Sequence, residues 1–418
     1  MKTELSTMIE EFDARRRILE GTSRSTREEV LPLSETLDRI LARDIFGQVD
    51  LPGFDNSSMD GYAVRAAEAF DDAVLTLTGE TQPAGEDCGF ELKSGTAIRI
   101  FTGAPVPRGA DAVVMQEDVC VEDDGRCLRI VEGVVVGENI RPRGADVCAG
   151  QKLISAGAIM TPARLGLLAS QGYVEVAVRP RPRVGIVTTG DELVESGTVA
   201  PADLKAGHLF NSNGPMLEAL VRHIGGIPQR WHAPDEPDAL GAILSEALDT
   251  SDFLLVAGGV SVGEKDFVKE SLGSLGVISE FWRVKVKPGK PFLFGRRETE
   301  GVQPCYVFGL PGNPVSAFVT CQIFAAPAMA WWSGREDLEG GASLALTPFR
   351  ARVSGALTNP GDRPHYLRMV IDPQSGFLKP TGLQQSHALF GLSKSEALLR
   401  LEGGQELVDG EEVSAWLL

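Results

Sequence analysis

The sequence predicts a multidomain protein of α/β plus β class. It should comprise a doubly wound α/β domain, a β-rich domain, a helical N-terminal and linker domain, and a small C-terminal β domain. Three observations carry this. The chain has 418 residues, beyond the ~250–300 at which a single hydrophobic core stops growing. From Arg183 to Trp332 short apolar runs alternate with helix-periodic stretches, the pattern of strands and covering helices in a parallel sheet. From Val74 to Val147, and again from Gly340 to Leu418, short strand patterns are separated by Gly, Pro and Asp turns. The boundaries that follow are 1–47 with 148–180 for the helical part, 48–147 for the β-rich part, 181–332 for the α/β part and 333–418 for the last.

Composition narrows the function classes. Hydrophobic content of 43% and charged content of 23% are those of a globular protein. A formal charge of −18 argues against a nucleic-acid backbone as partner, though a local basic cluster can still take a small anion. The opening MKTELSTMIEEFDARRR mixes both signs and lacks the apolar core of a signal peptide. No apolar run is expected to reach the ~18–20 residues of a membrane span, so no membrane partner is expected and the expected compartment is the cytoplasm. The six cysteines form no CxxC pair, and Cys305 and Cys321 sit in apolar segments expected in the core. Five histidines without HExxH spacing argue against a built-in transition-metal site.

Taken in order, residues to about Phe46 read as helices, with Ser34 as an N-cap before Leu37, Ile40 and Leu41. LPGFDNSSMDGYAV (Leu51 to Val64) is a polar loop between apolar anchors, either a plain surface loop or a place for chemistry. Strands are predicted over Val74–Thr78, Ala97–Phe101, Ala112–Met115 and Leu128–Val131, with Thr102 at a strand end in RIFTGAPVP and two arginines in the turn NIRPRGAD. Thr161 to Gln171 is a helix capped by Thr161, with Pro162 at its first position and Gly172 at its stop.

In the α/β part the organising stretch is DFLLVAGGVSVGEKD. Phe253 to Ala257 is a continuous apolar run, the mark of a strand buried on both faces. Gly258 and Gly259 end it and open a loop with Ser261, Gly263, Glu264, Lys265 and Asp266, and a helical pattern follows from Phe267. Strand, glycine loop and helix aim backbone N–H groups at an anion. It is not a Walker A loop, because Glu264 rather than Lys follows Gly263, and no GxGxxG is present. Loops after strands line one edge of such a sheet, so TTGDEL with Asp191 and Glu192, NSNG with Asn211, HAPDEP with Asp235, Asp266 and PGNPVS should converge. FWRVKVKPGKPFLFG places Arg283, Lys285, Lys287 and Lys290 at largely alternating positions, which puts basic side chains on one strand face. A basic strand beside an acidic loop edge suggests an anion handled with a divalent cation; a solvated edge strand blunted by lysines is the plainer reading. In the last β part, Arg363, Arg368, Ser386 and His387 are the candidate functional side chains.

The motifs PGFDNSSMDGYAV, IRIFTGAPVP, IRPRGAD, TTGDEL, GGVSVGEKD, KPGKPF and GLPGNPVS, in this order, resemble those of the molybdopterin molybdenumtransferases, a family to which the C-terminal domain of gephyrin is related. The resemblance runs from about residue 30 to the end of the chain. It implies a homodimer of four-domain subunits that inserts molybdenum from molybdate into adenylylated molybdopterin, with Mg²⁺, releasing AMP. The implied catalytic residues are Asp60, Thr102, Glu192, Asp235 and Asp266, with Glu192, Asp235 and Asp266 also holding Mg²⁺. Substrate would be bound by Gly258, Gly259, Ser261, Gly263, Arg283, Lys287, Lys290, Pro311, Asn313, Pro314, Arg363 and Ser386. Asp60 and Thr102 would meet the α/β carboxylates across the dimer. Around GDRPHYLR the spacing is one residue longer than the family pattern. Implied partners are the adenylylating enzyme and downstream molybdoenzyme maturation proteins. Two alternatives stay open at this point: a non-catalytic scaffold of the same fold, or a related enzyme that forms or hydrolyses the adenylylated pterin. The intact set of Asp60, Glu192, Asp235 and Asp266 favours the transferase, because a scaffold need not keep it.

Overall fold

A computed structural model of the chain describes residues 8–259, 267–335, 338 and 344–418. Its contacts divide it into two compact units, one of Met1–Arg43, Ala156–Leu165 and Glu175–Leu418, the other of Asp44–Ser155 and Gly166–Val174.

The smaller unit is built on a six-stranded sheet in the order Ala112–Met115, Gly61–Val64, Thr96–Ile100, Val74–Gln82, Cys127–Ile130 and Val119–Glu122. Its strands alternate strictly: Ala97 packs with Val64, Val114 and Leu128 on one face, and Ile98 packs with Ala63, Ile100 and Val113 on the other. Gly61 is required for one contact here, since a Cβ would sit 2.0 Å from the Val114 carbonyl oxygen.

The larger unit centres on a six-stranded mixed sheet. Its strands are β1 (Arg183–Thr189), β2 (Ile227–Ala233), β3 (Phe253–Ala257), β4 (Val277–Trp282), β5 (Leu293–Thr299) and β6 (Val302–Leu310), in the order β2-β1-β3-β6-β5-β4. The first four in that order pair in parallel, and β5 and β4 close the edge antiparallel. The apolar run of β3 is buried throughout because successive side chains enter different cores. Phe253 and Leu255 pack with Ile186 and Phe308, whereas Leu254 and Val256 pack with Val187 and Val307. Helices α1 (Asn213–Ile224) and α2 (Pro237–Thr250) cover the two faces, with Leu217 in the first core and Leu244 in the second. A five-stranded antiparallel sheet, Pro348–Arg352, Glu412–Leu417, Ala397–Leu401, His365–Ile371 and Leu378–Pro380 in spatial order, forms the C-terminal part.

Three expectations are corrected. Among the described residues before Phe46 there is one α-helix, Glu11–Gly21, followed by a strand, Glu29–Pro32, that pairs with Glu175–Val178. Ser34 lies in a short 3-10 turn, Leu37 is 44% exposed, and Leu41 instead bridges Val178. Pairing with a distant strand has overridden a helical spacing that rested on three residues. Second, an uncharged stretch of 19 residues, Pro314–Trp332, is long and apolar enough to cross a membrane, but 89% of it is buried inside the protein. It is a core helix, with a π-helical turn at Cys321–Ala325 just ahead of Pro327, which cannot donate to a regular helical bond. Third, the basic strand does not exist as one element. The backbone breaks at Arg283 (φ 88°), and only Val284–Lys285 is extended, pairing with Ile9–Glu10.

Candidate functional site

The chain runs from β1 to β2 on one side and then returns to β3 on the other, so the sheet changes direction between β1 and β3. Loops diverge at such a point and leave a crevice at the carboxyl ends of the strands. A cleft of about 1430 Å³ opens there, lined by Thr189 at the end of β1 and Gly190 after it, Gly258 and Gly259 after β3, and Pro311 and Gly312 after β6. Left-handed backbone at Gly258 (φ 106°) and Gly259 (φ 59°) makes the turn, and a Cβ at Gly258 would meet Thr189 Oγ1 at 2.6 Å. That is a close approach which only glycine permits.

The cleft gathers most of the residues expected in the larger unit. Glu192, Asp235, Gly258, Gly259, Lys287, Lys290, Pro311, Asn313, Pro314, Arg363 and Ser386 all line it. Glu192 and Asp235 are exposed, and their loops are tied by the Asp235 backbone N–H, which donates to Asp191 at 3.0 Å. On the basic side the Lys287 N–H donates to the Pro364 carbonyl at 2.8 Å, and Arg363 Nη1 donates to the Val286 carbonyl at 3.2 Å. Asn313 Nδ2 donates to Ser386 Oγ at 3.1 Å, and the Val315 N–H donates to the Ser386 carbonyl, which fixes the C-terminal loop against the helix that begins at Pro314.

The residues of FWRVKVK separate. Arg283 lies over the Trp282 ring, 4.9 Å from its centroid, and Lys285 pairs with Glu10; neither lines the cleft. Ser261, Gly263 and Asp266 lie outside the described residues. Asp60 and Thr102 are together in the smaller unit, where one Asp60 oxygen accepts from the Thr102 N–H at 2.7 Å and from its hydroxyl at 2.8 Å. These bonds, the backbone one first, hold the exposed Asp60 carboxyl below its ordinary pKa.

Among the described residues no group of three or more His, Cys, Asp and Glu side chains is gathered. Mg²⁺ does not need one: it is held by one or two carboxylates, several waters and substrate phosphate. Glu192 and Asp235 in one cleft, both hard oxygen donors, fit that requirement.

Two features escaped sequence reasoning. In NSNG it singled out Asn211, yet Asn211 is fully engaged: Nδ2 donates to Thr188 Oγ1 and Glu195 Oε1, and Oδ1 accepts from the Gly214 N–H. Asn213 also lines the cleft, and its Oδ1 has no partner. Spacing cannot tell two asparagines apart. Arg368 was a candidate by residue type, but its setting was hidden. It is 0% exposed, Nε and Nη1 are unpartnered, and Nη2 donates to the carbonyl of Leu383 at 2.8 Å, under the loop that carries Gln384, Gln385 and Ser386 into the cleft. Burial, with no carboxylate beside it among the described residues, lowers its pKa to about 10, so it stays a cation at neutral pH.

Comparison with known proteins places these elements. Residues 9–172 match the MoeA N-terminal region (domain I and II), 185–331 a probable molybdopterin binding domain, and 350–418 the MoeA C-terminal region (domain IV). The chain is 38% identical over 325 residues to the molybdopterin molybdenumtransferase of Haemophilus influenzae, covering 78% of each chain. It is 35% identical over 414 residues to molybdopterin molybdenumtransferase 2 of Mycobacterium tuberculosis H37Rv, covering 96% of this chain and 97% of that one. The crystal structure of the molybdopterin biosynthesis moeA protein of Pyrococcus horikoshii OT3 superposes with a TM-score of 0.83 at 27% identity, covering 99% of this chain and all of the other. Matches at these identities along nearly the whole length leave one assignment: the chain belongs to the molybdopterin molybdenumtransferase family.

Proposed function

We propose that this protein inserts molybdenum from molybdate into adenylylated molybdopterin, releasing AMP, as a Mg²⁺-dependent homodimer. Family membership supports the molybdenum transfer, and one observation supports the handling of its substrate: a single cleft at the sheet's switch point holds two exposed carboxylates, glycine turns and the basic side chains Lys287, Lys290 and Arg363. The backbone N–H of Gly259 is suited to the pyrophosphate of the substrate, whereas that of Gly258 already donates to the Leu310 carbonyl at 3.2 Å. Lys287, Lys290, Arg363 and the Ser386 hydroxyl supply charge and donors for a tetrahedral dianion. Glu192 and Asp235 would hold Mg²⁺, which when bound neutralises charge on the phosphates as AMP leaves. Arg368 adds a fixed, fully buried positive charge behind the Ser386 loop. Asp60, with one oxygen engaged by Thr102, keeps its other oxygen free of partners among the described residues. We assign it to complete the partner subunit's cleft in the dimer.

The four-part division at 1–47 with 148–180, 48–147, 181–332 and 333–418, and roles for Ser261, Gly263 and Asp266, belong to this same reading. An enzyme that adenylylates the pterin must supply the substrate, and proteins that load molybdoenzymes would take the product.

The test is incubation with adenylylated molybdopterin. AMP should appear only with both molybdate and Mg²⁺. Release at full rate with no oxyanion present would make the protein a hydrolase and overturn the proposal.

A further inference from the structure

Glu192 reaches the cleft from a weak support. The residues after it, Leu193–Val194, pair in parallel with Leu209–Phe210, the Leu209 N–H donating to the Glu192 carbonyl and the Asn211 N–H to the Val194 carbonyl, each at 2.8 Å. This ribbon joins no larger sheet, and none of its four residues is buried. Two strands this short, with no buried face, do not hold together in water by themselves. One end of the ribbon is nevertheless fixed. Asn211 is 2% exposed, and its side chain joins three elements. Oδ1 accepts from the Gly214 N–H at 3.0 Å, in the first turn of α1. Nδ2 donates to Thr188 Oγ1 at 2.9 Å, near the end of β1, and to Glu195 Oε1 at 2.6 Å, just beyond the ribbon. A backbone N–H can only donate and a carboxylate only accept, so the amide orientation is settled. Glu195 also faces Arg230 at 3.7 Å, and Arg230 is held in turn by Glu218 at 2.6 Å. Both amide hydrogens of Asn211 are used inside the protein, which leaves the side chain no donor for a ligand.

We infer that Asn211 is a positioning residue: it clasps the ribbon to β1 and α1 through Thr188, Gly214 and Glu195, and so presents the Glu192 carboxylate to the cation in one place. This role presupposes the reading of Glu192 as a Mg²⁺ ligand given above, and it extends the metal site to residues that never touch the metal. With the clasp closed the carboxylate is placed before the cation arrives. With the clasp open the ribbon samples other positions, and the apparent affinity falls by the fraction still correctly placed. A placed fraction of about a tenth raises the Mg²⁺ requirement about tenfold. Saturating Mg²⁺ selects the placed state again, so the maximal rate should be nearly unchanged.

The experiment compares three full-length variants with wild type. Asn211→Leu removes the clasp, and Glu195→Ala opens it from its half-exposed side, which keeps the test available should Asn211→Leu not fold. Asn211→Asp combined with Glu195→Gln restores the bond with donor and acceptor exchanged. Amide hydrogen exchange at residues 209–211 and the Mg²⁺ dependence of AMP release are both measured. The two opening variants should exchange at least about tenfold faster and need about tenfold more Mg²⁺, and the exchanged pair should return both readings to wild type. Added Mg²⁺ should also slow exchange in the opening variants, because a cation held by Glu192 draws the ribbon back. Faster exchange with an unmoved Mg²⁺ requirement would make Asn211 a structural residue and overturn the inference, as would wild-type exchange in Glu195→Ala. If wild type releases no AMP, the proposed reaction falls, while exchange with and without Mg²⁺ still decides the clasp: no slowing by Mg²⁺ refutes it.

Discussion

The phenol of Tyr366 donates a 2.7 Å hydrogen bond to Glu11, a carboxylate 355 positions earlier in the chain. Glu11 is 1% exposed and also accepts from Arg400 Nε at 2.7 Å and faces Arg15 Nε at 3.2 Å, so the N-terminal helix is pinned to the C-terminal sheet by a buried ionic cluster. Burial first, and then the Glu11 charge, push the Tyr366 phenol well above its ordinary pKa, which keeps it a donor. Removing the carboxylate leaves Arg15 facing a dry interior without its partner, while Arg400 keeps Glu402, and breaking a buried pair in this way costs about 3–5 kcal/mol. Tyr366→Phe removes one bond and leaves Glu11 its arginines, for about 1 kcal/mol. Urea denaturation should therefore rank Glu11→Ala well below Tyr366→Phe. Equal losses would show that the arginines do not depend on Glu11.

Arg368 should separate stability from activity. Burying a cation with no counter-ion opposes folding, so an apolar side chain of similar length in its place should not destabilise the fold. Arg368→Met should accordingly unfold no earlier than wild type on heating. Its molybdate dependence of AMP release should nonetheless shift to at least tenfold higher concentration, because the cation behind the Ser386 loop is gone. Unchanged molybdate dependence would reduce Arg368 to a loop anchor.

His365 gives a pH dependence with a definite sign. Burial first, then Lys287, Arg368 and Arg363, lower its pKa to about 4 from an unfolded value of 6.5. Between those values the unfolded chain binds the extra proton, so stability rises with pH across the window and falls as pH drops from 6.5 towards 4. His365→Gln should flatten that part of the curve, as read from denaturation midpoints at pH 4.5, 5.5 and 7. Curves that stay parallel for the two proteins would contradict the neutral, buried imidazole.

Glu192→Gln keeps the size of the side chain and removes its charge. If Glu192 helps to hold Mg²⁺, AMP release should fall by two orders of magnitude or more and recover in part at higher Mg²⁺. An exposed carboxylate contributes little to folding, so stability should stay within about 0.5 kcal/mol. Wild-type turnover in this variant would remove Glu192 from the metal site.

The homodimer can be tested by complementation. Chains carrying Asp60→Ala and chains carrying Glu192→Ala should each be inactive alone. Co-refolded mixtures should regain up to about a quarter of wild-type activity, the share of sites left intact when chains pair at random in a two-fold dimer. Sedimentation as a monomer with no recovery would end the shared-site proposal.

The local signals in the sequence were strong where one element decides its own conformation. The strand Phe253–Ala257 was legible residue by residue, because a run with no polar face can be buried only on both sides of a sheet. The helix after Thr161, the glycine turn at Gly258 and Gly259 and the alternation over Ala112–Met115 were legible for similar reasons. Rules for loops in doubly wound sheets then collected Glu192, Asp235 and the PGNP turn in one cleft from across a long stretch of sequence.

Tertiary structure decided what depends on partners distant in the chain. Leu37, Ile40 and Leu41 have helical spacing but belong to a segment that pairs with the strand ending at Val178. The alternation of Arg283, Lys285 and Lys287 suggested one basic face, but a single residue at φ 88° redirects the chain and sends the three side chains to three places. Which asparagine of NSNG keeps a free acceptor, and whether Arg368 has a counter-ion, are likewise set by groups contributed from other elements. Periodicity and turn chemistry are properties of a few consecutive residues and can be read from them. Hydrogen-bond satisfaction and charge pairing are properties of neighbours in space, which only the folded chain brings together.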